Sequence, residues 1–75
     1  MAKKATPEEL ASFGTLPDDA LVSQPMVEGL LQASSTTVWR LTGAGRLPQP
    51  VKITARSVRW RVGELRLALA RFSAP

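Results

Sequence analysis

The sequence predicts a small, mainly helical α+β domain. Seventy-five residues are enough for one domain with a slight hydrophobic core. Two stretches with the apolar spacing of amphipathic helices, residues 23–32 and 34–42, are separated by a very short link. An alternating apolar and basic stretch over residues 51–60 then predicts a two-stranded hairpin, and a last helical stretch begins at Val62.

The composition argues against an enzyme. The chain has no Cys and no His, which excludes disulfides and thiolate chemistry and removes the commonest metal ligand and general base. The acids form no pair in a catalytic context; they are Glu8, Glu9, Asp18, Asp19, Glu28 and Glu64. We therefore expect no catalytic residue, no metal site, no cofactor and no small-molecule substrate.

The charges are divided unevenly along the chain. Residues 1–30 hold two lysines and five acids, a net charge of −3, whereas residues 31–75 hold eight cations and one acid, a net charge of +7. This asymmetry, with a pI near 10.8, predicts a polyanionic partner for the basic part, and nucleic acid in particular. A basic face that is merely solvated is the alternative.

The sequence shows no sign of membrane insertion. No run of residues approaches the roughly 20 apolar residues of a membrane span. The N-terminal residues also lack the apolar core of a signal peptide. We therefore expect a cytoplasmic protein with no membrane contact.

Residues 1–17 are expected to form a flexible N-terminal arm, which leaves residues 18–75 as the domain proper. The arm mixes Lys, Pro, Gly, Ser and Thr with few apolar residues. One helical turn at residues 7–11 is predicted within it, started by Thr6 and by Pro7 at the first helical position. An inert arm and an arm that contacts a partner through its two lysines are both open.

The first main helix has clear starting signals. Ser23 is placed to cap it, with Pro25 tolerated in the first turn and Glu28 near the positive end of the helix dipole. Its buried stripe is expected to consist of Val27, Leu30 and Leu31. The helix is expected to end near Gln32.

The second helix follows after only Ala33 and Ser34, in the stretch SSTTVWRL. So short a link between two helices is typical of a helix-turn-helix. Ser34 is expected to cap this helix, since hydroxyl side chains satisfy the free backbone N–H groups of a first turn. Its inward face is predicted to contain Val38, Leu41 and Trp39. The Gly-Ala-Gly of residues 43–45 is expected to end it, because Gly adopts the left-handed C-terminal turn cheaply.

The second half of the chain predicts a hairpin and a last helix. Residues 47–50, Leu-Pro-Gln-Pro, favour an extended connector, and alternation then predicts strands at 51–53 and 58–60 around a four-residue turn at 54–57. One face of the hairpin is expected to carry Val51, Ile53, Val58 and Trp60, and the other Lys52 and Arg59. The last helix is expected to bury Val62, Leu65, Leu69 and Phe72, with Arg66 and Arg71 away from that line.

This order of elements is the layout of a winged helix-turn-helix: two short helices, a two-stranded β-hairpin wing and a C-terminal helix. In such a domain the second helix fits the major groove of DNA, about 12 Å wide, and the wing lies along the backbone or in the minor groove. On the second helix we expect DNA contacts from Ser35, Thr36, Thr37 and Arg40. On the wing and beside it we expect phosphate contacts from Arg46, Lys52, Thr54, Arg56, Ser57 and Arg59.

Structural alternatives are open for these residues. The hydroxyls of residues 34–37 could serve only as helix caps, and the cations could serve only to solubilise the surface. Trp39 and Trp60 could stack on bases. We expect both in the core instead, because a chain with two Phe and no Tyr needs them to fill its interior.

Residues 21–69 resemble the AlpA-type phage regulators and the related small excisionases, which belong to the MerR-like winged-helix group. The stretches that carry the resemblance are SSTTVWRL, TGAGRLPQPVK and SVRWRVGEL, with the family's spacing between them. The chain departs from the family pattern at Ala33, where Gly is usual, at Leu47, where Phe is usual, at Gly63, and at Leu67 or Ala68, where an aromatic residue is common.

The resemblance implies a bacterial or phage-encoded protein that binds double-stranded DNA sequence-specifically and is nucleoid-associated when bound. It implies one of two roles, a promoter regulator or an excisionase, and we favour the excisionase. An excisionase, or recombination directionality factor, binds and bends attachment-site DNA and so promotes excision of a mobile element by an integrase or other recombinase. Cooperative self-association on DNA is then expected, because one small domain spans too little DNA to bend it.

Two other functions are weighed against this one. A transcriptional regulator of a prophage or mobile-element promoter would use the same DNA-binding surface. A protein-interaction module without direct DNA contact would instead bind its partner through the acidic N-terminal third. RNA is disfavoured, because the sequence shows no aromatic-lined sheet of the kind that stacks single-stranded bases.

Overall fold

The computed structural model describes residues 5–73 and divides them into four α-helices, one short 3₁₀ turn and three β-strands. The helices are α1, Pro7–Ser12; α2, Gln24–Leu31; α3, Ser35–Gly43; and α4, Val62–Ser73. The strands are β1, Leu21–Val22; β2, Val51–Thr54; and β3, Ser57–Arg61, and the 3₁₀ turn spans Phe13–Thr15. The predicted α+β class is confirmed. Over residues 5–73, no helix has the length and apolar character that crossing a membrane requires.

Strand β3 forms the centre of a three-stranded antiparallel sheet with the order β1-β3-β2. On one side of it Val22 lies opposite Trp60, and on the other side Val51 lies opposite Arg59. The sequence does not predict β1. Its pairing holds the residues just before α2 against the hairpin, so the sheet joins the acidic and basic parts of the chain.

Most of the core is built from side chains of α2, α3, β3 and α4, and Phe13, Val22 and Leu47 complete it. Its most deeply buried members, each at most 1% exposed, are Val27, Val38, Trp60, Val62, Leu65 and Ala68. Trp60 is the largest of them, and its indole Nε1 donates to the carbonyl oxygen of Pro48 at 3.1 Å. The prediction that Trp60 packs in the core is confirmed, and its hydrogen bond ties the proline-rich connector to the sheet.

Helices α2 and α3 are joined by three residues, Gln32, Ala33 and Ser34. Gln32 adopts the left-handed conformation with φ of 51°, and the N–H of Ala33 donates to the carbonyl of Glu28 at 3.0 Å. Such bonds satisfy the last carbonyls of a helix. Ser23 stands at the predicted N-cap of α2, although its side chain makes no capping hydrogen bond. The predicted helix ends on both sides of the link are confirmed.

Helix α3 ends at the predicted Gly-Ala-Gly stretch, where Gly45 takes a left-handed φ of 79°. Val38 is buried and Leu41 packs against the core, as predicted, whereas Thr42 is buried where Trp39 was expected. Thr42 is 3% exposed, and its hydroxyl donates to the carbonyl of Val38 at 2.9 Å. That bond satisfies the hydroxyl inside the core.

The hairpin differs from the prediction in its turn and in its faces. Strand β2 reaches Thr54 and β3 begins at Ser57, which leaves a two-residue turn where four residues were expected. Lys52 lies opposite Val58, and the pairing shifts between Lys52 and Thr54. Directly opposed residues share a face, and a bulge changes which side the following residues present. The predicted division of faces is therefore wrong, and Ile53 is 51% exposed.

Residues 5–17 pack against the domain, where the sequence predicts a flexible arm. The predicted helical turn is confirmed as α1, since the Thr6 hydroxyl and the Glu9 carboxylate accept from each other's backbone N–H at 3.2 and 3.1 Å. Beyond α1, Phe13 is 8% exposed and belongs to the core. The expectation of an arm is corrected for these residues; Lys3 and Lys4 lie outside the described part.

One arginine of α4 holds this N-terminal segment. Arg66 Nη1 lies 2.6 Å from Asp18 Oδ1, and Nη2 donates to the carbonyls of Phe13 and Leu16 at 2.8 and 2.6 Å. The guanidinium carbon also lies 5.3 Å from the centre of the Phe13 ring. A planar guanidinium has enough donors for all three acceptors. This clamp explains how a segment with few apolar residues stays on the domain.

Substituting Arg66 with Ala is expected to lower the free energy of unfolding by about 2 kcal/mol, because two backbone carbonyls lose a charged donor. Asp18→Ala is the matched control. It removes only the ion pair of a carboxylate that is 77% exposed, so its expected cost is below about 1 kcal/mol. Urea unfolding followed by circular dichroism measures both variants, and equal losses would contradict the clamp.

Gly63 has a packing reason to be Gly despite its low helix propensity. Its N–H donates to the carbonyl of Asp18 at 2.8 Å, and a Cβ on Gly63 would lie 2.9 Å from the Cβ of Asp18. A larger residue would therefore push α4 away from the segment that precedes β1.

Candidate nucleic-acid interface

Helix α3 presents one long face to solvent. Its exposed residues are Ser35, Thr36, Trp39, Arg40 and Gly43, which recur at the three- and four-residue spacing of a single helix face. Three of the four residues predicted for DNA contact on this helix lie there. The fourth, Thr37, is half-buried.

The hydroxyl residues at the start of α3 have different roles. Ser34 Oγ accepts from the backbone N–H of Thr37 at 3.2 Å and lies 3.1 Å from Thr37 Oγ1. Ser34 is therefore the predicted cap, and Thr37 supports it. Capping accounts for these two residues and leaves the hydroxyls of Ser35 and Thr36 on the open face.

Substituting Ser34 with Ala is expected to lower the free energy of unfolding by about 1 kcal/mol, because the N–H of Thr37 loses its acceptor. Thr36→Ala removes an exposed hydroxyl in the same turn and is expected to change stability by less than about 0.5 kcal/mol. Chemical denaturation of both variants measures the difference. A Thr36→Ala loss as large as that of Ser34→Ala would contradict the assignment of the cap.

Gln24, at the start of α2, links the two helices through its side chain. Its Nε2 donates to Ser35 Oγ and to Glu28 Oε2, both at 2.8 Å, and its Oε1 accepts from Trp39 Nε1 at 3.2 Å. One amide thus fixes a hydroxyl and an indole of α3. Because Ser35 Oγ accepts from Gln24, its own hydrogen is left to donate outward. The sequence of α2 does not predict this role of Gln24, because the role depends on where α2 and α3 cross.

Trp39 does not lie in the core, contrary to the prediction from the sequence. It is 41% exposed, and its ring contacts that of Trp60, with the centroids 5.4 Å apart and the planes tilted by 54°. Val38 and Trp39 are neighbours on a helix, so their side chains point about 100° apart and only one can face the interior. The Trp39–Trp60 contact joins the exposed face of α3 to the central strand of the sheet.

The residues predicted on and beside the hairpin divide by exposure. Lys52, Thr54 and Arg56 are exposed, and the hydroxyl of Thr54 accepts from the N–H of Arg56 at 3.3 Å across the turn. Ser57 and Arg59 are half-buried, and Arg59 Nη1 donates to the carbonyl of Val58 at 2.8 Å. The exposed cations of the hairpin are therefore Lys52 and Arg56, with Arg61 at the far end of β3.

Arg46 follows α3 and is exposed. Its guanidinium carbon lies 5.3 Å from the centre of the Phe72 ring, near the end of α4. A cation over an aromatic ring is held in place without losing its charge. Arg46 therefore presents a fixed positive charge at the C-terminal end of α3.

The exposed charges are segregated along the fold. From residue 29 to residue 63 the chain contains six cations and no acid, and this stretch supplies both α3 and the hairpin. Four exposed acids lie instead on the segment clamped by Arg66; they are Glu8, Glu9, Asp18 and Asp19. The α3 face and the hairpin therefore provide a surface that attracts anions, since no acid of their own sequence neutralises it.

No protein-family model, no curated protein and no solved structure matches this chain.

Proposed function

We propose that this chain is a sequence-specific double-stranded DNA-binding protein with the layout of a winged helix-turn-helix. Helices α2 and α3 form the helix-turn-helix, and strands β2 and β3 form the wing. One observation carries the proposal: the exposed face of α3 and the basic hairpin that follows it come from a stretch with six cations and no acid. Such a footprint suits the phosphate backbone of a duplex.

Helix α3 is the element that enters the major groove in this proposal. Nine residues with one solvent-facing side match a groove about 12 Å wide. Thr36 and the outward hydrogen of Ser35 donate to phosphate oxygens, next to the backbone N–H groups of the helix start. Arg40, one turn later, reaches a phosphate.

The hairpin supplies phosphate contacts that do not depend on sequence. Lys52, Arg56 and Arg61 are its exposed cations, and Arg46 adds a fourth from the end of α3. Each phosphate neutralised releases a counterion and steepens the log–log dependence of affinity on salt by about 0.9. Binding is therefore strongly salt-dependent.

We further propose that the DNA-binding function serves recombination, as an excisionase acting with an integrase. The support for this role is the sequence resemblance of residues 21–69. The long axis of the described chain is 36 Å, about one turn of B-DNA. Bending a site by 40–90° costs on the order of 1–6 kcal/mol, so several copies side by side are needed to offset it.

The test is a fluorescence-anisotropy titration against three duplexes at two salt concentrations, the first two duplexes being taken from the genetic neighbourhood of the chain. The duplexes are an attachment site, a promoter and a scrambled sequence. Tight, salt-steep and cooperative binding to the attachment site supports the excisionase role, and preference for the promoter supports a transcriptional regulator. Equal, weak binding to all three overturns sequence-specific recognition and favours a protein-interaction module.

A further inference from the structure

Trp39 is a large apolar side chain in the middle of the exposed face of α3. The large hydrophobic residues exposed in the described chain are Leu21, Trp39, Ile53 and Leu67. Of these, Trp39 alone belongs to α3, where Arg40 and Thr36 are its neighbours on the face. If α3 enters the major groove, as the proposed function requires, this indole meets the edges of the bases.

The exposed part of the indole has only carbon to offer. Tryptophan carries a single polar atom, the Nε1–H donor, and in Trp39 that atom already donates to Gln24 Oε1 at 3.2 Å. The ring therefore selects an apolar group on its partner. In the major groove the apolar group of a base edge is the C5-methyl of thymine.

Gly43 lies one turn after Trp39 on the same face. A Cβ on Gly43 would meet no atom of the protein within 4 Å, and the residue does not have a left-handed φ. The left-handed turn that ends α3 is made by Gly45 instead. Gly costs stability within a helix compared with Ala, and neither close packing nor a left-handed backbone requires Gly at position 43. The space over Gly43 is open, so an external group can approach the helix backbone closely there.

We propose that Trp39 and Gly43 form a contact site for the 5-methyl group of one thymine in the major groove. The proposal rests on the proposed DNA-binding function and adds a base preference to it. Duplex DNA is the occupant because the surrounding charge is complementary: Arg40 adjoins the indole, and no acid occurs from residue 29 to residue 63. Ser35 and Arg40 hold the backbone, and the indole reads the methyl.

The test uses a duplex enriched by the wild-type protein from a pool with a randomised centre. Each thymine of that duplex is replaced in turn by deoxyuridine, which lacks only the 5-methyl group. One replacement is expected to weaken wild-type binding about fourfold, because burying one methyl-sized group changes the affinity by about that factor. In Trp39→Ala the same replacement is expected to have no effect. Leu67→Ala, which truncates a side chain 67% exposed on α4, is the control and keeps the fourfold ratio.

A second variant separates binding from folding. Gly43→Ala is expected to raise the midpoint of thermal unfolding by about 2–8 °C and yet weaken binding to the thymine duplex. A variant that is more stable and binds less well cannot owe its loss to misfolding.

The possible outcomes distinguish a failure of the thymine contact from a failure of the proposed DNA-binding function. If the wild-type protein enriches a duplex but no thymine replacement weakens its binding, the methyl contact alone is overturned. The methyl contact is also overturned if Trp39→Ala still shows the fourfold effect of the replacement. Failure of the wild-type protein to enrich any duplex overturns the proposed function, and the contact with it. A fourfold methyl effect that disappears in Trp39→Ala establishes the contact.

Discussion

Trp60→Ala is expected to lower the free energy of unfolding by about 3–5 kcal/mol. Trp60 is 0% exposed, is the largest fully buried side chain, and lies on the central strand of the sheet. The substitution leaves a cavity between β3 and its neighbours and removes the donor to the Pro48 carbonyl. Small domains are stable by only about 5–15 kcal/mol, so this loss approaches the whole stability of the chain.

The measurement is urea unfolding followed by circular dichroism, which avoids dependence on tryptophan fluorescence. Trp60→Phe keeps an aromatic ring in the core and is expected to lose about half as much or less. Leu67→Ala, at a side chain 67% exposed, is expected to change stability by less than about 0.5 kcal/mol. If Trp60→Ala unfolded at the same urea concentration as the wild type, Trp60 would not be the centre of the core.

The double substitution Arg40→Ala with Lys52→Ala is expected to weaken binding to duplex DNA by about 100-fold. Arg40 lies on the exposed face of α3 and Lys52 lies on the hairpin, so each of the two substitutions removes a contact from a different element. A contact of about 1.4 kcal/mol is worth tenfold in affinity, and losses at independent sites add. The log–log slope of affinity against salt is expected to fall by about 1.8, since two phosphate contacts are lost.

Arg71→Ala is the matched control for this prediction. Arg71 is an exposed arginine in the last turn of α4, outside the proposed interface. The Arg71→Ala substitution removes one positive charge without removing a contact to DNA, so the affinity and the salt slope are expected to change little. Anisotropy titrations over a range of salt concentrations give both quantities. A roughly tenfold loss of affinity in Arg71→Ala, half the logarithmic loss of the double variant for half the charge removed, would mean that net charge alone drives binding.

The elements that local sequence determines were predictable. Helices α2 and α3 begin and end near the expected residues, because the Ser34 cap and the Gly45 turn act on their own neighbours. The core position of Trp60 also follows from local alternation in β3. Most of the predicted contact residues of α3 are exposed for the same reason, since they fall opposite Val38 in the helical repeat.

The features that depend on contacts between distant residues were not predictable. Strand β1 has two residues, too few to show any period, and it exists because β3 pairs with it. The Arg66 clamp joins residues about fifty positions apart. The bulge in β2 changes the faces of the hairpin without a sequence signal such as Gly. Trp39 is exposed although it is large, because its neighbour Val38 occupies the inward position of the helical repeat.

The most direct test of DNA binding by α3 and the hairpin is to follow backbone amide chemical shifts of the full chain during titration with duplex DNA. We expect shifts concentrated in Ser35–Gly43 and in residues 51–61, with small changes in Pro7–Ser12. Raising the salt concentration is expected to reverse them. Shifts confined to the acidic segment before residue 20, or no shifts at any salt concentration, would contradict the proposed interface.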